Sequence, residues 1–355
     1  MSTIPLGTQF IGLASTVNTV ERRSSLINNE SAPYTMQDII DTVGGRLEGT
    51  QYVFVAADGT DVQNAAELQA AYVTAQSMSP SATNRITVIA APGSYNFSTV
   101  NFIMNTEYID LVSLDGNKSI VFNGSNTIEI TANDVFVRGV DVGTLNFTIA
   151  NSLNLLRVEN CSGGYSSFGG ANTASGTFTS CSGGYASFGG DGGTADGTFT
   201  NCTGEENSFG GGGGIASGVF TNCTGGDYSF GGGGDASGVF NNCTGVDYSF
   251  GGDSGTASGT FNSCIGGNKS LGGQGTADGT FTDCTGGDSS FGGGGGTASG
   301  TFNSCIGSNG SFGDGGTLSG FLYYCRLTGG TFATVSGAGV TRLCIDGSNV
   351  ENNQG

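Results

Sequence analysis

Residues 198–230 read TFTNCTGEENSFGGGGGIASGVFTNCTGGDYSF and contain one pattern twice. Cys202 of the first copy returns as Cys223 of the second, and the ten cysteines of the chain follow one another at spacings of 19 to 21 residues between Cys161 and Cys344. A self-similar period of this length is typical of repeat proteins, in which each repeat is one unit that stacks on the next. The repeat therefore decides the fold.

Each repeat carries further residues at fixed distances from its cysteine. From Cys181 to Cys305, a phenylalanine lies three residues before each cysteine and a second large apolar residue seven after it, while a glycine lies five before it and a small apolar residue seven before it. Copies of one residue in successive turns are expected to stack, which adds aromatic stacking to the apolar area they bury. The predicted core ladder includes Cys181, Cys202, Cys223, Cys243, Phe199, Phe220, Phe230 and Phe250.

The length and glycine content of the repeat favour strands over helices. Helical repeats take about 33–47 residues, and glycine in a helix interior costs about 1 kcal/mol relative to alanine. Segments such as Thr-Phe-Thr, separated by glycines, are typical of short strands, with Phe facing inward and Thr outward. The sequence predicts an all-β, rod-like parallel β-solenoid with 20–21 residues per coil.

Two local details follow from this prediction. The Asn or Ser before each cysteine is expected at a bend, where its side chain can bond backbone groups of neighbouring turns and the cysteine can turn back into the core. The glycine runs 210–214 and 292–296 leave an alternative open, in which they form polyproline-II-like helices that pack together.

The Phe-x-Asn-Cys-Thr pattern of the coils resembles the right-handed parallel β-helix of the pectate-lyase-like superfamily. The resemblance covers about residues 85–345, and Ala-Pro-Gly-Ser-Tyr at 91–95 resembles the opening coil of many such helices. It implies a right-handed β-helix. Because such helices include enzymes, adhesins and virus fibres, it specifies the fold better than the activity.

The chain divides into five predicted regions. They are an N-terminal arm (1–45), a strand with a capping helix (46–85), irregular coils (86–160), the regular Gly-rich Cys/Phe coils (161–345) and a polar C-terminal tail without an evident lid (346–355). Thr60 or Asp61 is expected to begin the helix, which should run to about Met78 and end before Pro80. Its predicted apolar stripe is Leu68, Ala71, Tyr72 and Ala75.

The arm carries a second apolar pattern. Its anchor residues are expected to be Tyr34, Met36, Ile39 and Ile40, the last three of which lie with Val43 on one face of a short helix. The segments 16–29 and 34–43 resemble N-terminal segments of structural proteins from tailed bacteriophages, particularly marine ones. This resemblance implies an arm that attaches the protein to other virion proteins. The alternative is a disordered leader with one docking helix.

The composition excludes several classes of partner. The formal net charge is −19, and Lys269 is the only Lys or Arg between Val158 and Cys325. Nucleic acids and anionic membrane surfaces are therefore not expected as partners, because both need clustered cations. No run of 18 apolar residues predicts a membrane span. The N-terminus does not read as a signal peptide, so we expect a virion protein made in the host cytoplasm.

The cysteines are predicted to be free and buried. In-register strands would place the Cα atoms of neighbouring cysteines about 4.8 Å apart, which is within disulfide range. However, the column shows no pairing two by two. A zinc site is not expected, because the sequence has no CxxC pair and no histidine.

Catalysis is not expected either. The sequence has no histidine, and the acidic column four residues after each cysteine lies among glycines, where Asp and Asn are ordinary turn residues. Weak calcium binding along this column is an alternative. Arg138 and Arg157, near Asp134 and Asp141, mark the one place for a lyase-like site. The acidic column is Glu206, Asp227, Asp247, Asn268, Asp288 and Asn309. We predict no enzyme activity, no cofactor and no metal.

A variable edge beside the fixed columns is the candidate binding surface. Tyrosine beside aspartate on a rigid ridge offers a sugar an apolar ring face and a hydrogen-bonding carboxylate. The candidate glycan-binding residues are Tyr165, Tyr185, Asp227, Tyr228, Asp247 and Tyr248.

We therefore expect a structural protein of a virion, such as a fibre, spike or decoration, that adsorbs to a host cell-surface glycan. Viral β-helical fibres are often trimers, which makes a trimer one option and leaves the oligomeric state open. A polysaccharide lyase or depolymerase is one alternative. An adhesin is another, and an ice-binding solenoid is a third, because outward Thr-x-Thr units such as Thr198 and Thr200 recur along the coils. Val219, Val239 and Asn241 interrupt these units.

Overall fold

The computed structural model describes residues 10–12, 51–98, 101–124, 128–143, 146–150, 153–333, 340–346 and 351–354. The chain is an all-β protein whose parallel strands stack as a β-solenoid of about 12 turns, which confirms the predicted fold class. It divides into two compact units. Unit 1 comprises residues 1–148 and 153–163, and unit 2 comprises residues 149–152 and 164–355.

Unit 1 contains three sheets of parallel strands. The β-branched and aromatic residues that favour strands recur in segments such as Ile86–Ala90. The first sheet consists of Phe10–Gly12, Gln51–Val55, Ile86–Ala90, Ile109–Ser113, Phe136–Arg138 and Arg157–Glu159. The second consists of Gly93–Asn96, Ile120–Asn123, Val140–Asp141 and Ser162–Gly163. The third consists of Phe102–Met104, Ile128–Ile130 and Phe147–Ile149.

The predicted helix of this unit is present as α1, Asp61–Ser77. Thr60 is its N-cap, and Thr60 and Gln63 form a reciprocal capping box that satisfies two free N–H groups. Met78 is the C-cap. The predicted apolar stripe is confirmed, because Leu68, Ala71, Tyr72 and Ala75 are all buried.

Little of the predicted arm lies among the described residues. Phe10–Gly12 forms a strand that pairs in parallel with Tyr52–Phe54, so this part of the arm extends the first sheet of unit 1. The anchor residues Tyr34, Met36, Ile39 and Ile40 lie outside the described residues.

Unit 2 contains two sheets of very short strands, here called the Phe sheet and the Ala sheet, and a third row of parallel bridges. The Phe sheet consists of Thr177–Thr179, Thr198–Thr200, Val219–Thr221, Val239–Asn241, Thr260–Asn262, Thr280–Thr282, Thr301–Asn303, Phe321–Tyr323, Val340–Ile345 and Glu351–Gln354. The Ala sheet consists of Thr173–Ala174, Thr194–Ala195, Ile215–Ala216, Asp235–Ala236, Thr256–Ala257, Thr276–Ala277, Thr297–Ala298 and Thr317–Leu318. The third row includes Ser182–Gly183, Ile306–Gly307 and Arg326–Leu327.

The strand register of unit 2 places each repeated residue on its own copy. Phe220 pairs with Phe240, which pairs with Phe261 in the next turn. The rings of Phe220 and Phe240 stack with centroids 4.8 Å apart and planes 3° apart. Phe230, from the second phenylalanine column, meets Phe240 edge-on at 6.0 Å and 89°. Both phenylalanine columns are therefore inside the coil, as predicted, and each stabilises the other.

The predicted bend before each cysteine is a residue in the left-handed region. Asn222 has φ 53° and Ser263 has φ 52°, a conformation that Asn and Asp adopt more readily than most residues. At Asn160 the side chain donates to the Gly116 carbonyl oxygen at 2.8 Å, as expected. At Asn222 it instead donates to Asn201 Oδ1 of the neighbouring turn at 3.2 Å.

The glycines of unit 2 permit the close approach of successive turns. A Cβ on Gly238 would overlap the carbonyl oxygen of Gly218, its copy in the preceding turn. The alternative of polyproline-II glycine helices is wrong, because Gly212 and Gly213 have φ of 64° and 111°, whereas that helix needs a φ near −75°.

The C-terminal tail offers no evident lid in its sequence, but its polar residues 351–354 cap the last strand of the Phe sheet. Glu351–Gln354 pairs antiparallel with Val340–Ile345, and Ile345 pairs with Glu351. An antiparallel final strand satisfies backbone groups that a terminal parallel strand would leave open. The polar composition of the tail concealed this role, since backbone pairing needs no apolar side chains.

Candidate functional site

The candidate surface is formed by the turn that follows each cysteine. In the turn after Cys223, Tyr228 has φ 53° and Phe230 has φ 51°. These left-handed residues reverse the chain so that Ser229 and Phe230 are fully buried while Tyr228 stays partly exposed. The buried neighbours therefore fix the backbone from which the tyrosine projects.

Two tyrosine rings form the centre of this surface. Tyr228 and Tyr248 stack with centroids 4.7 Å apart and planes 2° apart. The Lys269 Nζ lies 5.2 Å from the centroid of the Tyr248 ring and 3.5 Å from its hydroxyl oxygen. Since Lys269 follows in the next turn of the same column, the three side chains form a continuous row in which a cation closes one end.

A second tyrosine pair lies on the same edge of the coils. Tyr165 and Tyr185 stack at 5.2 Å with planes 8° apart, and Asn207 Nδ2 donates a hydrogen bond to the Tyr185 hydroxyl. Asn207 occupies the position that Tyr228 occupies one turn later. We call Tyr165, Tyr185, Asn207, Tyr228, Tyr248 and Lys269 the aromatic ridge. The structure thus brings the four predicted tyrosines to one edge.

The acidic column holds the backbone beside the ridge. Asp227 Oδ1 accepts the Asp247 N–H at 3.0 Å, and Asp247 Oδ1 accepts the Asn268 N–H at 2.7 Å. The same bond recurs from Asp288 N–H to Asn268 Oδ1 at 3.0 Å. The interpretation of this column as turn residues is therefore confirmed. The backbone thus engages one oxygen of Asp227 and one of Asp247, and the second oxygen of Asp247 accepts from the Asn268 amide at 3.5 Å.

The electrostatic surroundings raise the pKa of the Tyr228 hydroxyl. Partial burial raises the pKa of Tyr228, and the neighbouring Tyr248 and the charges of Asp253 and Asp227 raise it further, against the opposing effect of Lys269. A tyrosine with a raised pKa remains a hydrogen-bond donor at neutral pH.

The sequence interpretation missed a buried serine beneath the ridge. Ser229 donates to the Gly226 carbonyl oxygen, and Ser249 also reaches this oxygen at 3.3 Å. Ser270 donates to the Gly267 carbonyl oxygen at 2.6 Å. The signal was present, because the residue six after the cysteine is serine in every turn from Cys161 to Cys305. All members are fully buried: Ser167, Ser187, Ser208, Ser229, Ser249, Ser270, Ser290 and Ser311.

The cysteine column is structural. All ten cysteines are free and buried, as predicted. Cys223 Sγ donates to the Phe199 carbonyl oxygen at 3.4 Å and to the Thr221 carbonyl oxygen at 3.5 Å. Burial and the neighbouring thiols raise the pKa of Cys202, which favours the uncharged thiol and disfavours reaction as a nucleophile.

The charged residues of unit 1 pair with one another. Arg157 Nη2 lies 4.0 Å from Asp134 Oδ1, and Arg138 Nε lies 3.7 Å from Glu159 Oε1. Asp141 Oδ1 accepts from the Ser162 hydroxyl at 2.6 Å. The residues proposed for a lyase-like site are thus used in separate pairs.

A buried ion pair in the described part of this unit was not foreseen. Arg85 Nε and Nη2 donate to the two oxygens of Asp110 at 2.7 and 2.9 Å, and Arg85 Nη1 lies 2.7 Å from Asp134 Oδ1. Across the described part of the chain, no group of three or more His, Cys, Asp or Glu side chains is placed to hold a metal ion.

The threonine columns of the alternative ice-binding reading are in register but interrupted. Thr198 pairs with Val219, which pairs with Val239, and Thr221 pairs with Asn241. The two hydroxyl columns therefore break where the sequence indicated.

The chain matches no protein-family model, no curated protein and no solved structure in the comparisons made. Of the helices in the described part of the chain, none combines the length and the apolar character needed to cross a bilayer.

Proposed function

We propose that the protein is a structural protein of a virion, a fibre, spike or decoration, whose β-solenoid adsorbs to a glycan of the host surface through the aromatic ridge. The observation that supports this most directly is the stacked pair Tyr228 and Tyr248, flanked by Asp227, Asp247 and Lys269. Ring faces and edges suit the apolar faces of sugars, and the polar groups around them suit their hydroxyls.

The rigidity of the ridge supports binding. Asp227 and Asp247 engage backbone N–H groups, and Ser229 and Phe230 are fully buried under Tyr228. A surface that is already ordered loses little conformational entropy when it binds, so more of the contact energy remains as affinity. Tyrosine adds to this, because it offers a large contact area with few rotatable bonds.

The carboxylates and thiols that an enzyme could use for catalysis have structural roles here. The acidic column bonds its own backbone, Asp134 pairs with Arg85, and the thiols bond carbonyl oxygens. Catalytic acids and bases need a reactive group within reach of a substrate, whereas these groups contribute to the stability of the coils. The phage resemblance of the arm supports attachment to other virion proteins.

The test compares polysaccharide binding by the full chain with binding by the double variant Y228A/Y248A. Surface polysaccharides isolated from candidate bacterial hosts are titrated and binding is measured by calorimetry. We expect the variant to bind at least about tenfold more weakly, because truncation of an aromatic hot spot costs about 2 kcal/mol or more. The control is Tyr324→Ala, since Tyr324 is 62% exposed and lies outside the ridge.

Equal binding by wild type and double variant would show that the ridge is not the site. Failure of the wild type to bind any of the polysaccharides would overturn the adsorption role. The same samples are assayed for new reducing ends, and their release by the wild type would favour the depolymerase alternative.

A further inference from the structure

The first sheet of unit 1 is buried on both of its faces. Ile86, Val88 and Ala90 lie in register with Ile109, Leu111 and Ser113 on the side that faces the coil interior. The alternate residues point the other way, yet Ile86–Ala90 and Ile109–Ser113 are buried at every position. In the Phe sheet of unit 2, by contrast, the outward Val219 is 42% exposed.

The outer face of this first sheet carries an apolar cluster beside the polar residues Thr87, Asp110 and Arg138. Ile89, Val112 and Phe136 are 2%, 0% and 7% exposed and form one cluster, and Tyr52, Phe54 and Leu114 pack against it. These six residues are called the outer strip. All six residues belong to the first sheet or directly follow one of its strands, so they form a single layer. The element that covers this layer is not among them. An apolar sheet face is buried only when another element packs on it.

The helix of unit 1 is engaged elsewhere. Asn64 of α1 donates to the Ser94 carbonyl oxygen at 3.0 Å in the second sheet. Tyr72 of α1 meets Phe102 of the third sheet edge-on at 5.5 Å. Asn64 and Tyr72 of α1 therefore face these two sheets.

We infer that the outer strip is the docking site for residues 34–43 of the same chain. Residues 13–50 connect two strands that pair directly, because Gly12 pairs with Phe54 and Gln51 begins the next strand. Both ends of this connection are thus held at the edge of the sheet that carries the strip. A tether this short gives the segment a high effective concentration at the strip, which favours it over any free partner.

The sequence of the segment fits the strip. Met36, Ile39, Ile40 and Val43 recur at the spacing that places apolar residues on one side of a helix, and they offer branched and flexible side chains to a flat apolar face. The segment contains Asp38 and Asp41 and neither Lys nor Arg.

The border of the strip supplies opposite charge. Arg157 lies over the Phe136 ring at 5.4 Å, and Arg138 is the register partner of Val112. The Nε atom of Arg138 is buried and makes no hydrogen bond, and Glu159 Oε1 lies 3.7 Å from it. An acidic segment beside these guanidinium groups is electrostatically favoured over a basic one.

This inference does not rest on glycan binding, and it narrows the attachment role of the arm. Met36, Ile39 and Ile40 would be occupied by the chain itself, which leaves residues 13–33 for contacts with other virion proteins. The docked segment would act as the second layer of unit 1.

The test places a benzophenone photo-crosslinking amino acid at position 40 of the full chain. Irradiation should give a crosslink within one chain to a peptide that contains Ile89, Val112 or Phe136, identified by mass spectrometry at monomer mass. The matched control carries the same group at Asp38, on the opposite side of the helical pattern, and should give little of this product. Crosslinks that join two chains would assign the strip to a second copy and overturn the inference, as would the absence of any crosslink to the strip.

A second measurement does not depend on the probe. The double variant I39E/I40E should increase amide hydrogen exchange in 86–90 and 109–113 by about tenfold or more, because exposed strands open more readily. Exchange in the Phe sheet of unit 2 reports whether the variant is otherwise folded. Unchanged exchange in both strands, with unit 2 intact, would contradict docking of the segment.

Discussion

In unit 1 the inward positions of neighbouring strands hold a mixture of residues, with Val55 beside Ala90 and Leu111 beside Val137. In unit 2 the corresponding position holds one phenylalanine in turn after turn, such as Phe220 beside Phe240. Unit 1 also contains stabilising interactions that occur once, including the capping box of Thr60 and the ion pair of Arg85 with Asp110. Unit 2 instead repeats its own set of interactions from turn to turn.

This difference determines how damage spreads in each unit. In a stack of identical turns, stability is approximately a sum of contributions from each turn and its interfaces with two neighbours. A defect in one column of unit 2 therefore weakens both adjacent interfaces. In unit 1, a defect removes an interaction that no neighbouring turn duplicates, so its cost depends on the particular residue.

The largest effect is expected for Phe230→Asp in unit 2. Phe230 stacks on Phe250 at 4.7 Å and is fully buried, so the variant would bury an unpaired carboxylate at a cost of more than about 4 kcal/mol. The buried thiols report the result, because turns that open expose their cysteines to a thiol reagent in native buffer. The control is Phe230→Leu, since Leu271 occupies the same column. It should cost about 1 kcal/mol. If the cysteines of Phe230→Asp react with the thiol reagent as slowly as those of wild type, the assignment of Phe230 to a buried column is wrong.

A smaller effect, confined to unit 1, is expected for Asp110→Asn. Burial raises the pKa of Asp110, and the hydrogen bonds from the Arg85 guanidinium and the Phe136 N–H to the carboxylate offset only part of this rise. Loss of that charge leaves Arg85 buried with only part of its partners, which costs about 3–5 kcal/mol. Urea unfolding followed by the circular dichroism of α1 measures the change.

The control for this pair is Asp134→Asn. The Asp134 side chain is 24% exposed, so solvent screens its pair with Arg85 and the expected cost is about 1 kcal/mol. If both variants lower the free energy of unfolding equally, the bidentate contact with Asp110 does not stabilise Arg85 more than the contact with Asp134 does.

The repeat made unit 2 predictable. Alignment on the cysteines identified both phenylalanine columns, the free thiols and the bend before each cysteine. It also identified the edge with Tyr228 and Tyr248, since residues at one position of a repeat must stack. The buried serine column was missed because serine is common in polar turns, so its recurrence beside glycines does not by itself indicate burial.

Unit 1 was less predictable for the same reason. Its helix could be predicted from local signals at Thr60, Leu68 and Tyr72, but Arg85 and Asp110 are 25 residues apart and no repeat marks them as partners. In the ridge, the contact of Lys269 with Tyr248 was likewise not foreseen. Contacts between unlike residues in different turns can be predicted only when the strand register is known.

The smallest effect is expected for Asp115→Asn, which tests a device that occurs in one turn of unit 1. Burial alone would raise the pKa of Asp115, but hydrogen bonds from Ser113 and Ser119 and from the Asn117 N–H outweigh it, so that its pKa is lowered. The folded state thus favours the carboxylate. Its contribution is fully present above the unfolded pKa of about 3.9 and is lost as the pH falls through the lower folded value.

The variant should therefore cost about 1 kcal/mol at pH 7, the usual size for such hydrogen bonds, and the difference from wild type should shrink as the pH falls below 4. Urea midpoints of unit 1 at pH 7 and at pH 3 measure both values. Glu107→Gln, a change at an exposed acid of the same unit, is the control and should leave the midpoint at pH 7 unchanged. The prediction fails if the difference in midpoint between Asp115→Asn and wild type is as large at pH 3 as at pH 7. The ionised carboxylate would then not be the source of the stability, and the amide of the variant would destabilise the turn by its shape.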